Sequence, residues 1–308
     1  MPAIRLALVG LGKIARDQHV PAIGAATDFE LVAAADPAGA LAGLPCYADL
    51  DALLRSVPDV AAVALCTPPQ ARFGIARRAL QAGLHVLLEK PPCVTVSEAQ
   101  ALVALAQQRN LALFASWHSR HARGVAAARA WLQDRPIRSA TVAWKEDVRV
   151  WHPGQAWIWR AGGLGVFDPG INALSILTHI IPGALALADA ELSFPGNCAT
   201  PSAAQLELCT AAGATVRAHF DFLHAGAPTW DIEVATDAGL LCLTQGGRDL
   251  ALDGRVIETA ERHEYPDVYA HFAALVRSRR VDVDLAPLQL AADATLRGRR
   301  RAVADFTE

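Results

Sequence analysis

The stretch Gly10-Leu11-Gly12-Lys13-Ile14-Ala15 places glycine, glycine and a small residue at the spacing G-x-G-x-x-A. Gly10 permits a tight turn, and Gly12 lets backbone approach a pyrophosphate. Ala15 lets the next helix pack close to the preceding strand. The N-terminus of that helix turns N–H groups and a positive dipole end toward phosphates. A second apolar run, Leu31-Val32-Ala33-Ala34-Ala35, ends in Asp36. An acid roughly 20 residues past such a loop is where a ribose 2′-hydroxyl is held. The pattern predicts a dinucleotide site built on Gly10, Gly12, Lys13, Ile14 and Asp36, joined by the loop at Thr67 and Pro68.

Two further stretches carry chemistry. In Glu89-Lys90-Pro91-Pro92 a lysine follows an apolar run and two prolines restrict the loop. Placed there, Lys90 can orient a hydroxyl or stabilise charge growing on an oxygen as hydride leaves, and Glu89 and Lys90 are expected to join the cofactor contacts. Lys90 can equally be a surface lysine in a rigid turn. In Gly162-Gly163-Leu164-Gly165-Val166-Phe167-Asp168-Pro169-Gly170-Ile171-Asn172 a glycine-rich loop opens a helix. Asp168 and Asn172 stand at i and i+4, on one helix face. Asp168 as a plain helix cap is the competing reading.

Four of seven tryptophans fall between Trp144 and Trp159, interleaved with Glu146 and His152. Aromatic faces beside such groups suit a sugar ring and its hydroxyls; a tryptophan-rich core explains any single one as well. His118 and His121 have i, i+3 spacing, with no third ligand near in sequence, so no metal site is expected.

The elements that position these residues follow from apolar periodicity. From Ile4 to Ser116, short apolar runs alternate with helical segments, which predicts a parallel sheet covered by helices on both faces. The segments read as helices are Ile14–Ala26, Asp49–Ser56 capped by Asp49, Gln70–Ala82, and Ser97–Gln108 capped by Ser97. Ligands bind at the carboxyl ends of such strands. Beyond about Arg120 the strands alternate apolar and polar residues, as in Val216, Ala218, Phe220 and Phe222, which marks a sheet with one buried face. Helices are expected over Asp168–Ile181, Tyr265–Arg279 and Pro287–Arg301. The expected fold is α/β: a Rossmann domain over 1–120, then an α+β domain over 121–308 with an open, antiparallel-rich mixed sheet.

Composition narrows the function. The chain has 308 residues, 53% hydrophobic and 19% charged, enough for a large core. With 28 basic and 31 acidic residues and no basic stretch interleaved with aromatics, nucleic acid is not an expected partner. The one basic cluster, Arg297 to Arg301, reads as the solvated end of a terminal helix. Six cysteines without a CxxC pair fit reduced thiols in a cytoplasmic protein. Neither a signal peptide nor a membrane span is expected.

Gly10-x-Gly12-x-x-Ala15, Glu89-Lys90-Pro91 and Asp168-x-x-x-Asn172, at these spacings, resemble the glucose–fructose oxidoreductase/inositol dehydrogenase (Gfo/Idh/MocA) family over the whole chain. Longer runs, among them Trp117-His118-Ser119, Trp144-Lys145-Glu146-Asp147 and Trp151-His152-Pro153, are similar to its aldose 1-dehydrogenase branch, which acts on D-galactose and L-arabinose. The resemblance implies oxidation of an anomeric hydroxyl with NAD(P), and a homodimer formed through the open sheet face. Many family members have His where this chain has Asn172. The resemblance therefore moves the base to Asp168, or to Lys90, with Asn172 orienting the sugar. It implies sugar contacts from His118, Glu146, His152, Asp168 and Asn172; Asp36, followed by Pro37, Ala38 and Gly39 with no arginine, predicts NAD in preference to NADP. Other sugar or cyclitol dehydrogenases, or an idle nucleotide-binding sensor, are the alternatives.

Overall fold

A computed structural model of the chain describes residues 2–257, 259 and 263–308. It divides into two compact units: Met1–His118 with His263–Leu285, and Ser119–Arg262 with Ala286–Glu308.

In the first unit the apolar runs become strands β1 (Ile4–Val9), β2 (Phe29–Ala35), β3 (Cys46–Tyr47), β4 (Ala62–Leu65), β5 (His85–Glu89) and β6 (Leu113–Ser116). Together with the short Val281–Asp282 strand they form one sheet in the order Val281–Asp282, β6, β5, β4, β1, β2, β3. Every pairing is parallel. The chain reverses direction across the sheet between β1 and β4, so the ends of these two strands flank the switch point where doubly wound folds bind ligands. Helices α1 (Val20–Ala25), α2 (Leu50–Ser56), α3 (Pro69–Gln81) and α4 (Val96–Gln108) connect the strands. One sheet face packs Val63, Leu65, Val86 and Leu88 against α2, α3 and α4. The other packs Leu6, Leu8 and Leu87 against Tyr265, Val268, Tyr269 and Phe272.

Those four residues lie on the helix Glu264–Ser278, which corrects the expectation of a single break near residue 120. A sheet buried on both faces needs a helix layer on each, and a distant segment supplies part of the second. Two local expectations also change. The expected helix from Ile14 opens as a π-turn over Ala15–His19 before α1 begins. Thr95, not Ser97, caps α4, in a capping box with Glu98. Asp49 caps α2 as expected.

In the second unit α5 (Val125–Leu132) precedes β7 (Ile137–Lys145), the single turn α6 (Val148–Trp151) and the long helix α7 (Phe167–Ile180). Strands β8 (Leu185–Pro195), β9 (Ala203–Thr210), β10 (Thr215–Asp221), β11 (Thr229–Thr236), β12 (Gly239–Thr244), β13 (Asp249–Leu252) and β14 (Arg255–Ile257) follow. They form a nine-stranded sheet in the order β14, β13, β12, β11, β7, β10, β9, β8 and a last strand, Arg299–Val303. Two pairings are parallel, β7 with β10 and β8 with the last strand, and the rest are antiparallel.

The last strand is a second correction. The expected terminal helix stops at Arg297, and the basic cluster crosses into the sheet edge. Two of its arginines have a use in the strand. Arg299 pairs with Asp189 on β8, and Arg300 lies over the Phe194 ring at 4.6 Å.

Candidate functional site

In the first unit the predicted nucleotide loop lies at the carboxyl end of β1. Gly10 has φ +91°, and a Cβ there would come within 2.8 Å of the Thr67 nitrogen. The first glycine is therefore required by packing against the end of β4 as well as by the turn. A Cβ on Gly12 would meet no atom within 4 Å, so this position borders open space, as backbone approach by a pyrophosphate demands. The Thr67 hydroxyl is buried with no hydrogen-bond partner among the described residues. A buried donor without an acceptor is costly, and a nucleotide oxygen is a fitting partner at this strand end. Pro68 opens α3, and Ile14 opens the π-turn. Lys13 pairs with Asp17 on the surface.

Asp36 holds the loop in shape. One carboxylate oxygen accepts from Leu11 N at 2.8 Å, and the other from Ala38 N at 2.9 Å and Gly39 N at 2.6 Å. Partial burial opposes ionisation, but these three N–H groups and nearby Arg16 keep the acid below its ordinary range. A carboxylate offers about four lone-pair sites, so Asp36 retains acceptor capacity for a ribose hydroxyl.

Lys90 follows β5 directly and its peptide to Pro91 is cis. Its neighbour Glu89, expected among the cofactor contacts, is buried, 2% exposed. Glu89 Oε1 accepts from Tyr265 Oη at 2.7 Å and Ser116 Oγ at 3.3 Å, and lies 3.1 Å from His19 Nε2. Its Oε2 accepts from Lys90 N at 2.8 Å. Burial would raise the acid's pKa, but His19, His118 and Tyr265 hold it well below the carboxylate range. Another predicted residue, His118, sits just past β6, where its Nδ1 is 2.6 Å from Glu264 Oε2 and its ring stacks on Tyr265.

The second unit gathers three of the predicted sugar-contact residues. Glu146 stands at the end of β7, Asp168 in the first turn of α7, and His152 just past α6. His152 Nε2 is 3.8 Å from Glu146 Oε1 and 3.8 Å from Asp168 Oδ2. Both carboxylates are buried, while the imidazole is 24% exposed. Glu146 Oε2 accepts from Trp230 Nε1 at 2.7 Å, and the His152 ring meets Phe222 edge-on. One carboxylate is thus fixed by an indole, and an imidazole stands between the two acids. Such a set can accept hydroxyl protons and pass one along.

Asp168 does not cap its helix. Val166 is the N-cap and no side-chain cap bond is made there. The glycines around it serve close packing. At Gly165, φ is +53° and a Cβ would collide with the Pro201 carbonyl. At Gly170 a Cβ would lie 2.7 Å from the Phe220 ring, so glycine lets α7 settle onto β10. Asn172 shares that helix one turn on, half-buried. Sequence reasoning missed Trp230, the indole that fixes Glu146. It also missed His19, Arg72 and Tyr265, which surround the Lys90 loop. A histidine directly before the apolar stretch Val20-Pro21-Ala22-Ile23 was the one available signal.

Comparison with known proteins agrees with this architecture. Residues 4–116 match the family model described as an oxidoreductase family with an NAD-binding Rossmann fold. The chain is 46% identical over 306 residues to a galactose 1-dehydrogenase of Pseudomonas fluorescens, covering 99% of both chains. A crystal structure of a D-galactose-1-dehydrogenase from Rhizobium etli superposes with TM-score 0.95 at 49% identity, over 100% of this chain and 99% of that one. A point mutant of KijD10, a 3-ketoreductase from Actinomadura kijaniata solved with TDP-benzene and NADP, shares the fold at TM-score 0.86 and 22% identity, over 98% of this chain and 99% of that one. With a parallel Rossmann sheet, a second mixed sheet and relatives that match end to end, the chain belongs to the Gfo/Idh/MocA family of NAD(P)-dependent oxidoreductases.

Proposed function

We propose that the protein is a sugar 1-dehydrogenase that oxidises the anomeric hydroxyl of D-galactose, and of L-arabinose, to the lactone. The observation that carries this reading is the end-to-end likeness to two galactose 1-dehydrogenases. The cluster of Glu146, His152 and Asp168 beside Trp230 supplies matching chemistry. A nicotinamide dinucleotide, when bound, accepts the hydride from C1. Asp168 takes the proton of the anomeric hydroxyl. Lys90 holds the same oxygen and stabilises its growing charge. Asn172 orients the ring through its amide, and Glu146, His152 and His118 bind hydroxyls. L-Arabinopyranose matches D-galactopyranose at ring carbons one to four, so one pocket serves both. A polar group placed for the axial C4 hydroxyl is left unpaired by glucose.

NAD is the preferred cofactor in this reading. Asp36 accepts a 2′-hydroxyl but repels a 2′-phosphate, and Pro37, Ala38 and Gly39 follow it without an arginine. The open sheet face forms a homodimer, and the six free thiols suit a reducing cytoplasm. Initial rates on a panel of pentoses, hexoses and myo-inositol, each with NAD and with NADP, test the proposal. Galactose or arabinose with NAD should give the highest kcat/KM. Glucose or myo-inositol as the best substrate overturns the substrate reading, and equal rates with NADP overturn the cofactor reading.

A further inference from the structure

Lys90 is the residue whose placement matters most in the first unit, and its backbone is gripped from two directions. On one side stands the Glu89 carboxylate, which accepts from Lys90 N at 2.8 Å. That carboxylate is itself held by His19, Tyr265 and Ser116. On the other side stands Arg72, 3% exposed. Its guanidinium donates to the carbonyls of Glu89 and Pro91, the residues before and after Lys90, and also to that of Thr67.

We propose that His19 and Arg72 are positioning residues for the reaction: Arg72 holds the carbonyls before and after Lys90, His19 holds the Glu89 carboxylate that accepts from Lys90 N, and together they aim the Lys90 ammonium group. The proposal rests on the reading that Lys90 touches the reacting oxygen.

Three observations support it. First, His19 is fully buried, with Nδ1 2.7 Å from Tyr269 Oη and Nε2 3.1 Å from Glu89 Oε1. An imidazolium donates from both nitrogens. Burial alone would discharge it, but Cys66 at the end of β4 and Glu89 outweigh burial and raise its pKa to about 10. Tyr265 and Tyr269 face the pair from the helix Glu264–Ser278, and His118 faces Glu89 from beyond β6. Second, a buried ion pair is a poor way to gain stability, because desolvation offsets its attraction and apolar packing does as well. Its use here is explained by what it touches. Third, Arg72 satisfies three carbonyls at the ends of β4 and β5 with one planar group. A lysine has no such fork.

Removing either hold lets the Lys90 loop shift, and a misplacement of about 1 Å can cost about 10²-fold in rate. The test uses the full-length enzyme with saturating NAD and sugar. His19→Gln and Arg72→Lys should each lower kcat roughly tenfold to a hundredfold. Tyr265→Phe removes one hydroxyl and should lower kcat by a smaller factor. NADH affinity, read by fluorescence titration, should stay within about twofold, and sugar KM should change far less than kcat. In a Lys90→Met background none of the three should lower the residual rate further, because they act only through Lys90.

If His19→Gln and Tyr265→Phe both fold and keep wild-type kcat, the clamp is overturned. It is also overturned if each cuts the residual rate of Lys90→Met by its full factor. Should His19→Gln fail to fold, Tyr265→Phe and Arg72→Lys carry the same test. Wild-type kcat in Lys90→Met alone overturns the role given to Lys90, and that outcome is distinct from the other two.

Discussion

Among the imidazoles that stand beside carboxylates in this molecule, His19 and His152 serve opposite ends. In the first unit His19 is fully buried, 3.1 Å from Glu89, and both of its nitrogens are engaged. In the second unit His152 is partly exposed and sits 3.8 Å from each of two acids. A sealed, directly bonded pair holds its proton through the whole neutral range, so it can fix geometry but cannot trade protons. A reachable imidazole at loose distance can exchange protons and receive a ligand's hydroxyls between the acids. Exposure and distance separate the two roles, although the residue types are the same.

The sharpest way to break this contrast is at the acids. Asp168→Asn should lower kcat by about 10²–10⁴-fold, the usual cost of losing a general base, with NADH affinity unchanged in a fluorescence titration. An Asp168→Asn enzyme that retains most of its kcat would move the proton acceptor elsewhere.

Stability should separate the two imidazoles next. Removing one partner of a buried pair costs about 3–5 kcal/mol, so His19→Gln should shift the urea midpoint strongly. His152→Gln, at a partly exposed site 3.8 Å from each acid, should cost under about 1 kcal/mol. Equal shifts would erase the distinction.

The pH dependence sharpens it further. His19 is raised from an ordinary 6.5 to about 10 in the folded protein. Its contribution to stability is therefore complete below about pH 6.5 and is lost as pH rises through about 10. Glu89 is lowered from an ordinary 4.5, so its contribution is present above that value and is lost as pH falls through its folded value. Urea midpoints of the wild type should fall between pH 6.5 and pH 10, the window set by these values, and His19→Gln should flatten that slope. A slope unchanged by the substitution would mean that His19 does not carry the proton.

On activity, the smallest of these effects is expected at Trp230. Trp230→Phe removes the N–H that fixes Glu146 and leaves a buried acceptor short of one donor, a cost of about 1–3 kcal/mol. Sugar KM should rise several-fold while kcat holds. A change in kcat alone would place Glu146 in the chemical step.

Much of this was legible in the chain itself. Gly10, Gly12, Ala15 and Asp36 announce a nucleotide loop because each answers a local demand: a turn, a close approach, a hydroxyl to be held. Asp168 and Asn172 share a helix face because 3.6 residues per turn put them there. The parallel and one-sided sheets follow from continuous and alternating apolar runs. Other features depend on partners far away in sequence. The Arg297–Arg301 cluster looked helical, yet Arg299 meets Asp189 on a strand more than a hundred residues earlier. Nothing near Glu89 in sequence announces Tyr265, 176 residues away, whose hydroxyl donates to its carboxylate. Periodicity and short motifs record what a residue needs from its near neighbours, and these the sequence alone determined. Which buried charge finds which partner is decided only when strands and helices close over it, because an ion inside a protein is defined by everything that has replaced its water.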